Sequence, residues 1–109
     1  MLHAGLHWLS HERLDPPHAV SHPDHVIELA NAFATDGWDQ RRPALLGYEW
    51  EGRIQLLSGS HRWIAAKMAD ILLPVVIVPY WLVYQSWGNL PAWARLMRLG
   101  DGALDAKTG

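Results

Sequence analysis

The stretch Leu56-Leu57-Ser58-Gly59-Ser60-His61-Arg62 constrains this chain more than any other. A short apolar run over residues 53–57 reads as a strand and ends in a glycine flanked by serines. A helical pattern through Trp63, Ile64, Ala65, Ala66, Lys67, Met68 and Ala69 begins at once. A strand that becomes a helix across so few residues leaves the first-turn amides without intrahelical acceptors. Gly59 lets the backbone turn sharply or approach a ligand closely, and the helix dipole adds partial positive charge at the same place. His61 and Arg62 add side-chain donors, and the guanidinium fork matches phosphate oxygens. These parts make an anion site, best suited to phosphates. The same letters also suit Ser58 or Ser60 as a plain N-cap with Arg62 as a solvated surface residue.

The rest of the chain alternates strands and helices. Residues 6–9 predict a short strand, and Leu14-Asp15-Pro16-Pro17 an extended loop that no helix can cross. A helix starts near Ser21 or His22 as cap, with Pro23 and Asp24 in its first turn. It buries Val26, Ile27, Leu29, Ala30 and Phe33, and stops at Gly37. Residues 43–48 and 53–57 predict two strands joined by Glu49-Trp50-Glu51-Gly52. The β-branched run Val75-Val76-Ile77-Val78 predicts a buried strand. Residues 91–99 predict a last helix, whereas residues 81–87 fit a helix or an irregular cover equally. The expected fold is a small mixed α/β (α+β) domain with helices packed on a short mixed sheet. A single domain over residues 1–100 and a disordered polar tail over 101–109 are expected.

Composition narrows the function. The 109 residues include no cysteine, which excludes disulfides, thiolate metal sites and cysteine nucleophiles. A net charge of −2 argues against a broad, sequence-blind grip on nucleic acid. The longest apolar run, residues 71–84, is broken by Pro74 and Pro79 and is too short to span a bilayer, so no membrane role is expected. The expected location is a reducing cytoplasm.

Leu56-Leu57-Ser58-Gly59-Ser60-His61-Arg62-Trp63-Ile64-Ala65-Ala66, followed by Leu73-Pro74-Val75-Val76-Ile77-Val78, resembles the ParB/sulfiredoxin superfamily. The upstream order adds to the resemblance: the Leu14-Asp15-Pro16-Pro17 segment, a helix from Asp24, then Arg42-Pro43-Ala44-Leu45-Leu46. It extends over roughly residues 6–85. It implies a nucleotide-binding fold with phosphates held by Gly59, Ser60, His61 and Arg62, and a first helix that faces them through His25 and Glu28. Sulfiredoxins usually carry a lysine and a hydroxyl residue at the latter two positions. The cofactor implied is a nucleoside triphosphate, ATP or CTP, with Mg²⁺. Sulfinate repair is excluded, because Ser60 stands where that chemistry needs a cysteine. Partition ParB proteins usually show Gly-Glu-Arg-Arg at this turn and carry DNA-reading domains beyond it. Only about 25 residues follow position 85 here. The expectation is therefore a stand-alone minimal ParB-like member, similar to short phage or plasmid proteins.

Three functions fit: a nucleotide-binding NTPase or phosphotransferase, from the anion-site turn and the resemblance; a ParB-like DNA-binding protein or nuclease, from the resemblance alone; and a regulatory module that binds a host protein through the aromatic C-terminal surface. A homodimer is compatible with each. Glu28 and His61 are the candidate catalytic groups. Arg41 and Arg42 could add charge near the phosphates or lie in a solvated loop. His3, His7 and His11 recur every four residues, a metal-binding face on a helix but not in the strand and loop expected here, so no metal site is assigned. Seven tryptophans are many for this length; Trp81, Trp87 and Trp93 are expected to pack as a lid on the sheet, with base stacking or a partner surface as alternatives.

Overall fold

In the computed structural model, residues 2–20 and 22–104 are described. The first apolar stretch forms strand β1 (Gly5–Leu9). Ser10 Oγ then accepts the Glu12 amide and opens a single 3-10 turn, His11–Arg13. Two residues of strand follow, β2 (Leu14–Asp15), where the sequence predicted only an extended loop. Helix α1 (Pro23–Asp36) buries Val26, Leu29, Ala30 and Phe33. It ends where the Gly37 amide donates to the Phe33 carbonyl at 2.8 Å. Strands β3 (Leu45–Trp50) and β4 (Arg53–Leu56) form a hairpin. Trp50, expected in the connection, is still strand. The two-residue turn is Glu51 and Gly52, both at positive φ, which matches the twist of the flanking strands. Helix α2 (Ser60–Ala69) and strand β5 (Leu73–Ile77) follow. The ambiguous segment is helix α3 (Tyr80–Ser86), and α4 (Leu90–Met97) starts with the Asn89 side chain accepting the Ala92 amide at 3.1 Å.

The five strands form one mixed sheet in the order β1-β5-β3-β4-β2. The β-branched run sits inside it, with β5 antiparallel to β1 and parallel to β3. That placement explains a near-continuous apolar sequence: both faces of β5 are covered. On one face α1 and α2 enclose Phe33, Leu45, Ile54, Leu56, Leu73 and Val75. On the other, α3 and α4 cover Leu46, Val78, Val83 and Leu96. No helix among the described residues is long and apolar enough to cross a membrane.

The chain beyond α4 folds back. Gly100 O accepts the Ala44 amide at 3.0 Å, tying this end to the start of β3. Residues 101–104, expected in a disordered tail, are instead turns, and Leu104 packs against the first core. Residues 105–109 lie outside the described residues.

Two cross-chain contacts fix the β2 end of the sheet. Arg53 pairs with Asp15 through Nε at 2.9 Å and Nη2 at 2.8 Å, and Nη2 also donates to Glu12 O at 3.0 Å. Hydrogen bonds from Arg53 hold the Asp15 carboxyl below its usual range. Both side chains are about half exposed, so solvent screens the pair and Arg53→Ala is expected to destabilise the chain only slightly. Because the folded carboxyl is the stronger acid, this contribution is present above the ordinary aspartate pKa. It fades as pH falls through the lowered folded value, so the stability gap between wild type and Arg53→Ala should begin to narrow below about pH 4 in acid unfolding. Trp63, half-buried against the first core, donates through Nε1 to His11 O at 3.0 Å, as its expected role in packing helix to sheet requires. Trp63→Phe keeps an aromatic ring but loses that bond and part of the indole's packing, so a loss of at least about 0.5–1.5 kcal/mol from the bond alone is expected in urea unfolding.

Candidate functional site

The junction forms as the sequence predicted. Strand β4 ends at Leu56 and α2 starts at Ser60, with Gly59 as N-cap at φ 90°, ψ 30°, a left-handed conformation open to glycine. A Cβ at Gly59 would lie 2.6 Å from Leu45 Cδ2 and 3.4 Å from Arg62 Nη2. The glycine therefore lets the turn lie on the sheet with the guanidinium folded back over it. No side chain caps α2, so its first amides point out of the helix without intrahelical partners. Helix α1 is uncapped in the same way: its N-cap is His22, which makes no side-chain cap bond, and Ser21 lies outside the described residues.

These two amino-terminal ends converge. The His61 ring stacks on His22 at 5.9 Å between centroids and meets His25 edge-on at 5.7 Å. His61 Nε2 is buried and has no partner among the described residues. Two positive dipole ends and three imidazoles thus meet at one point of a chain whose net charge is −2. His18 joins the same loop; its amide donates to Ser60 Oγ at 3.4 Å.

Each expected site residue takes a definite position. Ser60 is buried and its hydroxyl oxygen accepts the His18 amide, which leaves its O–H and its backbone N–H as donors. Arg62 is half-buried rather than solvated. It donates through Nη1 to Pro43 O at 2.8 Å and lies 5.8 Å over the Trp38 ring. Burial, and then the nearby Arg42 charge, lower its pKa. The remaining guanidinium donors are free of these contacts. His25 and Glu28 share the exposed side of α1, three residues apart. Arg41 is committed to Asp39 through Nε and Nη2 at 3.1 and 3.2 Å, which leaves Arg42 as the second basic group beside Arg62.

Next to Arg62 a cleft of about 480 Å³ opens between α1 and residues 37–42, lined by Phe33, Trp38, Arg41 and Arg42. Trp38 is buried there, stacked on Phe33 at 5.3 Å, and its Nε1 has no partner among the described residues. Sequence reasoning missed Trp38 as the platform beneath Arg62 and His22 as a neighbour of His61. Its position after a helix-ending glycine was the only signal for Trp38, and His22 had none beyond a histidine-rich stretch. The periodic histidines His3, His7 and His11 do not meet: His7 Nε2 contacts His3 O, while His11 uses its carbonyl for Trp63. Among the described residues no group of three or more His, Asp or Glu side chains is arranged to hold a metal ion.

No family model matches the sequence, and no curated protein matches it. Solved structures do match the fold. Sulfiredoxin from Arabidopsis thaliana superposes with a TM-score of 0.57 at 17% identity, covering 73% of this chain and 93% of that one. The C-terminally truncated chromosome-partitioning protein ParB from Caulobacter crescentus, complexed with CTP-gamma-S, gives 0.61 at 18% identity over 86% of this chain. The chain has the ParB/sulfiredoxin-like fold. It spans about half of that ParB structure, 51%. A free serine kinase in complex with AMP shares the ParB/sulfiredoxin-like fold with a TM-score of 0.56 at 13% identity, 79% of this chain against 33% of that one.

Proposed function

We propose that this chain binds a nucleoside triphosphate, ATP or CTP, with its phosphates seated where the amino-terminal ends of α1 and α2 converge. One observation carries the reading: among the described residues, two helix starts without side-chain caps meet there, with His61 Nε2 buried and unpartnered and Arg62 folded over Gly59. Buried polar nitrogens ordinarily have partners, and helix starts favour anions. Neighbours of the same fold are complexed with CTP-gamma-S and with AMP, which supports a nucleotide as the anion.

In this reading the backbone amides of Ser60, His61 and Arg62 take phosphate oxygens. The Arg62 guanidinium adds charge-assisted bonds, and His25 and His61 close the other side. The cleft beside Trp38, within the size range of small-molecule sites, takes the nucleoside. The described residues form no metal cage of their own, so Mg²⁺ comes on the phosphates, a usual mode for this ion. Glu28, three residues beyond His25 on the exposed side of α1, then serves to hold the hydrated ion or to orient a water for phosphoryl transfer. Titration calorimetry with ATP, CTP, GTP and ADP, each with Mg²⁺, tests the reading. Saturable binding of a triphosphate is expected; no heat at millimolar nucleotide overturns it.

A further inference from the structure

The opposite end of the sheet carries a second surface, unrelated to the anion site. Pairing between β3 and β5 stops at Gly47 and Ile77, while β3 runs on to Trp50 beside β4 alone. A cleft of about 460 Å³ opens where the parallel strands part, lined by Leu2, Glu49, Glu51, Pro79 and Tyr80 among others. Its charged lining is two carboxylates. Neither has a salt-bridge partner among the described residues. The cation nearest in register, Arg53 opposite Trp50, is committed to Asp15. Glu49 Oε1 accepts the Leu2 amide at 2.8 Å, which leaves its second oxygen for another donor.

Aromatic rings stand at the rim. Tyr80 meets Trp50 at 5.0 Å, Tyr48 at 5.2 Å and Tyr84 at 6.4 Å. The expected lid over the sheet is only partly that. Val83 and Ser86 are the buried residues of α3, while Trp81, Tyr84 and Trp87 are 60%, 71% and 76% exposed. Exposed aromatic surface on this scale marks an interaction site. A carboxylate-lined cleft edged by ring faces suits a guanidinium, which pairs with the first and stacks on the second.

We infer that this end of the molecule docks a segment of a partner protein that carries an arginine, with the arginine in the cleft and flanking apolar residues along α3. A free small cation would need the cleft alone; the aromatic surface continuing past it along α3 fits a peptide chain.

The test is a proton–nitrogen NMR titration of the full chain with an acetylated, amidated hexapeptide of one arginine among leucines. Its counterpart with glutamate for arginine, and N-acetyl-arginine amide, serve as the other probes. Saturable shifts at Glu49, Glu51 and the Trp50 indole are expected for the arginine peptide. Affinity should fall at least tenfold in Glu49→Gln/Glu51→Gln and in Tyr84→Ala. Glu51 and Tyr84 are exposed, and the amide oxygen of a glutamine at position 49 can still accept the Leu2 amide, so the fold stays intact, as unchanged spectra elsewhere would show. Equal binding of the glutamate peptide, shifts confined to other surfaces, or no saturation at millimolar peptide overturns the inference. N-acetyl-arginine amide binding as tightly as the hexapeptide overturns it in favour of a small-cation site.

Discussion

Gly59→Ala is expected to destabilise the chain by about 2–5 kcal/mol, the sum of a left-handed backbone penalty and an overpacking penalty. The backbone at Gly59 has φ 90°, and the added methyl would lie 2.6 Å from Leu45 Cδ2. Leu45 is fully buried in the first core and cannot move aside freely. Gly52→Ala separates the two costs. Gly52 also has positive φ, at 80°, but nothing lies within 4 Å of its Cβ position, so only the backbone part, about 1–2 kcal/mol, is expected. Urea unfolding of both variants checks this: the Gly59→Ala midpoint should fall well below that of Gly52→Ala with an unchanged slope. Equal midpoints would mean that the turn does not lie on Leu45 as described.

Arg62→Ala is expected to lower nucleotide affinity roughly 10- to 150-fold, the equivalent of about 1.5–3 kcal/mol for charge-assisted hydrogen bonds. It also removes the bond to Pro43 O and the contact over Trp38, so some stability goes with it. The two losses can be told apart. Arg62→Lys keeps a charge but has no planar fork to hold Pro43 O, the Trp38 face and a phosphate together. If the charge alone matters, lysine restores binding; the structure leads us to expect partial recovery at most. Calorimetry on folded Arg62→Ala and Arg62→Lys, with circular dichroism to confirm the fold, reads both.

The parts of the structure that rest on local pattern were legible in the sequence. Val75-Val76-Ile77-Val78 reads as a buried strand because both faces need apolar, β-branched residues, and β5 lies inside the sheet. The turn at Gly59 was legible because only a few residues can join a strand to a helix so abruptly. What depends on distant pairing was not. Strand β2 exists because Leu14 and Asp15 pair with Ile54 and Gln55, a partnership no local window contains. The imidazole cluster joins His61 to residues of α1 through the packing of two helices. On α3, Tyr80, Trp81 and Tyr84 match a core stripe and a surface stripe equally well. The choice is made by Val83 and Ser86, which take the short helix's buried side.

A crystal of the chain soaked with a non-hydrolysable nucleoside triphosphate and Mg²⁺ tests the central claim most directly. Phosphate density is expected against the amides of Ser60, His61 and Arg62, with the Arg62 guanidinium on a phosphate oxygen and His61 Nε2 no longer without a partner. Phosphates bound elsewhere on the molecule, or a turn left bare at millimolar nucleotide, would contradict it.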